Sequence, residues 1–133
     1  MNIDIESEII KVIDIEMKGL SLMREQIDSS VKSAVEIIFN CRGKLILTGM
    51  GKSGLVAKKI ASTMSSVGTP AIFMHPAEGM HGDLGIIAVE DVVIAIGKSG
   101  ESSELNGVLP SIKSLGAKII GIMGDADSTL AKY

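Results

Sequence analysis

Four short, uninterrupted apolar runs constrain the fold of this chain more than any other feature of its sequence. They lie at residues 44–48, 71–74, 92–96 and 118–122. Runs of this length are typical of strands that are buried on both faces of a parallel sheet. Helical stretches at about 54–67 and 102–115, and a less regular segment at 75–88, lie between them. This alternation predicts right-handed βαβ units in a doubly wound, three-layer α/β/α sandwich.

Apolar residues at helical spacing precede the first run and predict two helices. The stripe consists of Ile9, Ile13, Met17, Leu20, Met23, Ile27, Val31, Val35 and Ile38. Residues 28–30, an Asp followed by two serines, supply the break between the helices and an N-cap, and Gly43 ends the helical region. We expect residues 1–42 to form helices that pack on a core of residues 43–133, within a single domain overall.

Two places conflict with this simple pattern. Asn106, Gly107 and Pro110 fall inside the second predicted helix, where the proline should kink the helix or move its start later. The chain also ends soon after the fourth run, which would leave the last strand as a weakly covered edge. We expect either that another chain covers this edge or that the sequence belongs to a longer protein.

Composition and charge exclude several classes of function. The formal net charge of −3 gives no long-range attraction for nucleic acid or an anionic membrane, so an anionic ligand would need a local pocket. Cys41 is the single cysteine, which excludes an intrachain disulfide and a cysteine cluster for zinc. The sequence shows neither a secretory signal nor an apolar run of about 18 residues. We therefore expect a cytoplasmic protein without nucleic-acid or membrane partners.

Two of the predicted strands end in loops rich in glycine and serine. The first run leads into residues 48–54 and the third into residues 97–104, and each loop also carries a lysine. In an open parallel sheet, ligands bind outside the carboxyl ends of the strands, where backbone amides and helix N-termini converge. Small residues let that backbone approach an anion closely. A Ser-capped turn would explain one such loop, but two at the same end of a sheet favour a site for a phosphorylated ligand.

Adenylate-type nucleotides are the rival ligand for the first loop. The loop contains the Gly-Lys-Ser string of a P-loop, but the glycine that a P-loop requires five residues earlier is Ile46 here. Three glycines at the spacing G-x-G-x-x-G follow the strand: Gly49, Gly51 and Gly54. Residues 68–72, about 20 positions further on, offer no acidic partner for a ribose hydroxyl. The loop therefore lacks the rest of either nucleotide-binding pattern.

The segment after the second run holds both histidines of the chain. His75 and His81 are close in sequence to Glu78 and Asp83. The simplest interpretation is a polar loop in which one histidine caps a helix. Alternatively, one or both histidines face a bound sugar, or bind a divalent metal together with the two carboxylates. The residues themselves leave these alternatives open.

Three strings of residues together resemble a known family. They are Gly-Met-Gly-Lys-Ser-Gly at 49–54, His-Pro-x-Glu-x-x-His-Gly-Asp-Leu-Gly at 75–85, and Ser-Gly-Glu-Ser-Ser-Glu at 99–104. In this order they closely resemble the sugar isomerase (SIS) domain of D-arabinose 5-phosphate isomerases, and the similarity runs from about residue 15 to the end. The resemblance implies a flavodoxin-like SIS fold and interconversion of D-ribulose 5-phosphate and D-arabinose 5-phosphate, on the route to the lipopolysaccharide sugar Kdo. It also implies a homo-oligomer, since members are tetramers, often with CBS domains after the SIS domain.

The resemblance also implies roles for individual residues. The residues expected to bind the phosphate and sugar are Gly51, Ser53, Ser99, Gly100, Ser102, Ser103 and His75. Lys98, which departs from the family pattern, is expected to add positive charge for the phosphate. Lys52 aligns with an active-site lysine, Glu104 with an active-site glutamate, and His81 with a histidine beside the sugar chain. Isomerisation moves a proton between C1 and C2 and develops charge on an enediolate, so it needs acid/base groups but no redox cofactor. Which group abstracts the carbon-bound proton stays open.

Departures from the family pattern keep two other functions open. Gly97 and Lys98 stand where related domains carry Ser and an uncharged polar residue, and the family places a further glutamate and histidine beyond Tyr133. A phosphosugar sensor would keep the phosphate-binding serines without the acid/base set, and an assembly domain would keep only the fold. Lys52, His81 and Glu104 argue against both, because phosphate binding alone requires none of them.

Overall fold

A four-stranded parallel sheet forms the centre of the fold. The computed structural model of the protein describes residues 4–133. The strands are β1 (Leu45–Gly49), β2 (Ala71–Met74), β3 (Val92–Gly97) and β4 (Lys118–Met123), in the order β2-β1-β3-β4, and every pairing is parallel. Each predicted apolar run thus forms a strand. β1 and β3 are buried along their whole length, which explains why their sequences are apolar at successive positions, with Thr48 as the one polar residue, rather than at every second one.

Within the described residues 4–133, five α-helices accompany the sheet. They are α1 (Ile5–Glu25), α2 (Ser29–Phe39), α3 (Gly51–Ser66), α4 (Pro76–Met80) and α5 (Ser103–Ser114), and two short 3₁₀ helices lie at Asp83–Ile86 and Leu130–Lys132. The predicted break before α2 is confirmed, because Asp28 accepts hydrogen bonds of 2.8 and 2.6 Å from the amide and hydroxyl of Ser30. Within residues 4–133, none of the helices combines the length and apolar character needed to cross a membrane.

The chain separates into two compact units, Met1–Val35 and Glu36–Tyr133. The first contains α1, whose first turn is capped by Asp4 accepting the amide of Ser7 at 3.2 Å. No residue of α1 is buried. The second unit contains the whole sheet and begins before the boundary predicted at residue 43. The packing of the N-terminal helices on the core stays a prediction.

The two faces of the sheet carry separate apolar clusters, which makes the second unit a three-layer α/β/α sandwich. On one face, α3 packs through Ala57 and Ala61 on Leu45 and Leu47 of β1 and on alternate residues of β3. On the other face, α5 packs through four buried residues, Leu105, Val108, Leu109 and Ile112. Ile46 of β1 belongs to this second cluster, as the alternation of side chains along a strand requires. The predicted fold class is confirmed.

Pro110 lies inside α5 and does not move its start. The helix begins at Ser103, close to the predicted start, and continues through Pro110 to Ser114. A proline at this position removes the amide that would otherwise bond the carbonyl of Asn106. Leu109 and Ile112, on either side of it, are completely buried, and their burial stabilises the helix against this loss. The expectation of a later start is therefore wrong, and the alternative expectation of a kink stays a prediction.

Candidate functional site

The strand order creates a crevice between β1 and β3. From these two neighbouring strands the chain turns to opposite faces of the sheet, into α3 and into α5. Ligands of open α/β sheets bind where strand order reverses in this way. A cleft of about 400 Å³ lies here, lined by Met50, Ser53, Ile96, Gly97, Lys98, Ser99 and Ser102. The two Gly/Ser-rich loops therefore meet in one cleft.

Two glycines of the first loop are required by close backbone contacts. A Cβ atom on Gly49 would lie 2.7 Å from the carbonyl oxygen of Ile96 on β3. A Cβ atom on Gly54, in the first turn of α3, would lie 2.6 Å from the carbonyl oxygen of Gly49. The G-x-G-x-x-G spacing thus reflects tight packing of strand, loop and helix, which holds the start of α3 beside β3.

The N-terminus of α3 is left without a side-chain cap. Met50 occupies the N-cap position and its side chain makes no capping hydrogen bond. The first intrahelical amide to be paired is that of Gly54, which bonds the carbonyl of Met50 at 3.1 Å. The preceding amides of the first turn are the ones that a helix leaves for an external acceptor, at its positive end. Met50 and Ser53 line the cleft, so these donors lie beside it.

The second loop presents hydroxyl groups and one cationic side chain to the cleft. Ser99 Oγ accepts the amide of Glu101 at 3.2 Å, which leaves its own proton for another acceptor. Ser102 Oγ caps α5 by accepting the amide of Leu105 at 3.4 Å. The Lys98 side chain is exposed, and it is the charged member of the lining.

Glu104 lies in the first turn of α5 as an ionised carboxylate. Its Oε2 accepts hydrogen bonds from the hydroxyls of Ser103 at 2.9 Å and Ser102 at 3.2 Å. The pKa of Glu104 is lowered, first by its own backbone amide, then by these two hydroxyls and by the charge of His75. Burial opposes this shift. The carboxylate is therefore deprotonated at neutral pH, which is the form from which a general base or proton relay starts.

The two histidines have different environments. His75 is the N-cap of α4, and its Nδ1 accepts the amide of Ala77 at 3.3 Å, so the neutral ring carries its proton on Nε2. Its ring also stands edge-on to Phe73, with centroids 6.4 Å apart. His81 is exposed at the C-terminal end of α4. The interpretation of a capping histidine therefore applies to His75.

The structure brings together only part of the predicted site. Ser53, Lys98, Ser99 and Ser102 share the cleft, whereas Lys52, Glu104 and both histidines do not line it. Lys52 is exposed in the first turn of α3. Across residues 4–133 no three His, Cys, Asp or Glu side chains are grouped so that they could hold a metal ion.

Three residues of the lining carry no role in the sequence analysis as individual side chains: Met50, Ile96 and Gly97. They add apolar surface to the cleft beside its hydroxyl groups. Their position is the signal that identifies them, since Met50 and Gly97 lie within the two predicted binding loops and Ile96 directly precedes the second.

A doubly wound α/β sheet with its cleft at the carboxyl ends of the two central strands defines the class of this protein. Residues 37–133 match the model of the SIS domain, and the chain belongs to that family. The resemblance found in the sequence is thereby confirmed.

Two curated relatives that match most of this chain are named arabinose 5-phosphate isomerases. Arabinose 5-phosphate isomerase KdsD of Salmonella typhi is 44% identical over 122 residues, which are 92% of this chain and 37% of that protein. Arabinose 5-phosphate isomerase KpsF of Escherichia coli O6:H1 is 47% identical over 115 residues, which are 86% of this chain and 35% of that protein. The chain therefore spans a little over a third of the length of these curated relatives.

A solved structure shares the fold and contains a ligand. The Escherichia coli CFT073 protein c3406, in complex with arabinose 5-phosphate, superimposes with a TM-score of 0.81 at 39% identity. The match covers 95% of this chain and 69% of that one.

Proposed function

We propose that this chain is the phosphosugar-binding core of an aldose–ketose isomerase that interconverts D-arabinose 5-phosphate and D-ribulose 5-phosphate. The observation that carries the proposal is the cleft between β1 and β3, where Ser53 meets Lys98, Ser99 and Ser102. Two relatives that match most of the chain are arabinose 5-phosphate isomerases, and a structural neighbour binds arabinose 5-phosphate. The reaction transfers protons only, so the proposal includes no cofactor.

The phosphate is the main anchor in this proposal. The uncapped amides of α3 and the hydroxyls of Ser53 and Ser99 donate to its oxygens, and Lys98 adds a positive charge. The hydroxyl of Ser102, which bonds Glu104 in this structure, turns its proton to the phosphate when the ligand binds. Gly51 and Gly100 supply backbone with positive φ angles of 53° and 69°, which lets both loops turn closely around an anion. These groups recognise the phosphate, whereas other residues determine which sugar is bound.

The chemistry is assigned to Glu104, Lys52 and the histidines. The ionised Glu104 relays a proton during enediolate formation, and the ammonium of Lys52 stabilises the negative oxygen that develops. His75 and His81 contact the sugar chain in this proposal. Lys52 and Glu104 lie in the first turns of α3 and α5, the two helices that begin beside the cleft.

A non-catalytic phosphosugar sensor is the second candidate. The chain spans little more than a third of the curated isomerases, and Lys52 and Glu104 lie outside the cleft lining. A sensor would retain the phosphate-binding groups and bind arabinose 5-phosphate without exchanging its C2 proton.

A homo-oligomer, with a tetramer as the expected size, and a cytoplasmic location complete the proposal. Apolar side chains of α1 support self-association: Ile9, Ile13 and Met17 are 56%, 52% and 62% exposed. Within residues 4–133, β4 pairs with β3 alone, so its other side can also take part in contacts between copies.

Calorimetry on the whole chain tests the phosphate site. Ser53→Ala combined with Ser99→Ala should weaken the affinity for arabinose 5-phosphate by roughly 100-fold or more, since each charge-assisted hydrogen bond contributes about 1.5–3 kcal/mol. Ser111→Ala, an exposed hydroxyl of α5 away from the cleft, is the matched control and should bind as the wild type does. Equal affinity of the wild type for arabinose and arabinose 5-phosphate would show that the phosphate is not the anchor.

A further inference from the structure

The second phosphate-binding loop is held by a segment that comes much later in the chain. We call residues 124–130, which follow β4, the brace segment. The Gly124 amide donates to the carbonyl oxygen of Lys98 at 2.9 Å, and the Leu130 amide donates to that of Gly100 at 3.0 Å. The Thr129 amide donates to Oε1 of Glu101 at 2.7 Å. Three polar groups of the loop are thus fixed by backbone amides of the brace segment.

Gly100 fits the brace segment closely. Its φ of 69° is one that residues with a side chain rarely adopt, and a Cβ atom there would collide with Ser128 Oγ. Its carbonyl oxygen also accepts the side-chain amide of Asn106 at 2.9 Å. Leu130 anchors the end of the brace segment, because its side chain is 2% exposed within the apolar cluster under α5. The loop conformation therefore depends on contacts outside the loop.

Glu101 poses an electrostatic problem for a loop that binds a phosphate dianion. A carboxylate between Ser99 and Ser102 would repel the ligand if it faced the cleft. It does not line the cleft and bonds the brace segment instead. The same hydrogen bond fixes the backbone between the two serines.

We propose that Glu101 is a positioning residue for phosphosugar binding, which holds Ser99 and Ser102 towards the cleft by accepting the Thr129 amide. The inference deepens the proposed function and rests on it. Glu101 is expected to touch neither phosphate nor sugar. Its carboxylate keeps the loop in the binding conformation and keeps its own charge away from the dianion.

The charge state of Glu101 agrees with this arrangement. Hydrogen bonds from the backbone and side chain of Thr129 lower the pKa of the carboxyl, and Lys132 lowers it further, against the opposing effects of burial and Asp125. Glu101 is therefore ionised at neutral pH, the state in which it accepts the Thr129 amide most strongly.

Substitutions at Glu101 distinguish an effect on the position of the loop from an effect of the negative charge alone. Removing a negative charge near a dianion site should tighten phosphate binding if Glu101 acts only through its charge. If it positions the loop, Glu101→Ala should weaken the affinity for arabinose 5-phosphate roughly tenfold, because an ordering hydrogen bond is lost. Glu101→Gln keeps an oxygen that can accept the Thr129 amide, so it should stay within about twofold of the wild type. Asp127→Asn, which removes a nearby exposed carboxylate, is the charge control and should not weaken binding.

A second variant removes the donor rather than the acceptor. Thr129 has a φ of −60°, which proline also adopts, so Thr129→Pro deletes the amide without a change of φ. It should weaken binding as Glu101→Ala does, and Glu101→Ala should cause no further loss in that background. Full additivity of the two losses would mean that the residues act separately.

Amide hydrogen exchange on the ligand-free chain measures directly whether contacts with the brace segment order the loop. In Glu101→Ala, exchange at residues 99–101 should accelerate while β1 and β3 keep their protection. Unchanged exchange in the loop, or phosphosugar binding as tight as that of the wild type, would overturn the inference. If the wild type binds neither arabinose 5-phosphate nor inorganic phosphate, the proposed function fails, and the exchange experiment still decides whether Glu101 holds the loop.

Discussion

Replacing Asp91 with Asn should destabilise the protein through a single buried carboxylate. Asp91, just before β3, is 2% exposed. Its Oδ1 accepts the backbone amide of Lys44 at 2.8 Å. Its Oδ2 accepts Lys44 Nζ at 2.7 Å and the amide of Ala88 at 2.8 Å. The carboxylate thus joins the start of β1 to the segment that leads into β3.

The size of this destabilisation follows from the hydrogen bonds that an Asn side chain can accept. Asn has one oxygen, so in either orientation its NH₂ group faces a donor: the Lys44 amide, or Lys44 Nζ together with the Ala88 amide. An unsatisfied buried amide costs about 1–3 kcal/mol, and the loss of the charge-assisted bond to Lys44 adds to it. We expect the free energy of unfolding to fall by about 2–4 kcal/mol in total. Because Lys44 is partly exposed, this loss is smaller than the cost of removing one partner from a fully buried ion pair.

Urea unfolding measures this loss. The free energy of unfolding of Asp91→Asn should fall by the stated amount with an unchanged m-value, whereas Glu90→Gln, an exposed neighbour, should match the wild type. Burial alone would raise the pKa of Asp91, but the bonds from Lys44 and Ala88 outweigh it and hold the pKa below 3.8. The stabilisation is therefore complete above pH 3.8 and lost as the pH falls through the folded-state pKa. A stability gap below about 0.5 kcal/mol at pH 7, or one that widens in acid, would refute this reasoning.

Two further predictions concern the proposed function. Glu104→Gln should slow exchange of the C2 proton of arabinose 5-phosphate in deuterated water by about 10²–10⁴-fold while changing affinity little, with Glu90→Gln as the matched control. Full exchange by Glu104→Gln would remove that residue from the chemistry, and binding without exchange by the wild type would favour the sensor. Ultracentrifugation at micromolar concentration should show an oligomer, and Ile9→Glu with Ile13→Glu should dissociate it. A wild type that sediments only as a 13.9 kDa species would contradict self-association.

The sheet and the cleft could be predicted because their signals are local in the sequence. Residues 45–47 and 92–97 are apolar throughout, and such runs identify central parallel strands without knowledge of any contact. Glycine and serine directly after these strands identified the loops that line the cleft, since strand ends and helix N-termini are adjacent in both sequence and space. Four of the predicted phosphate-site residues line the cleft for this reason.

The contacts that hold the site in place could not be predicted in this way. Asp91 bonds Lys44 across 47 positions, and Glu101 bonds Thr129 across 28. Nothing in the local sequence distinguishes Glu101 from Glu104, although one is tied to the brace segment and the other to the first turn of α5. Pro110 shows the converse, because a strong local signal was overruled by the burial of its neighbours.

The edge position of β4 determines where added sequence can act. A strand that joins β4 in parallel would lie about 4.8 Å beyond it and about 10 Å beyond β3. Because all strands of this sheet point the same way, the residues after such a strand would emerge on the same rim as Lys98 and Ser99. New side chains could then reach the ligand without altering β1 or β3. The fold can thus gain or exchange reactive groups beside β4 while the residues proposed to bind the phosphate stay unchanged.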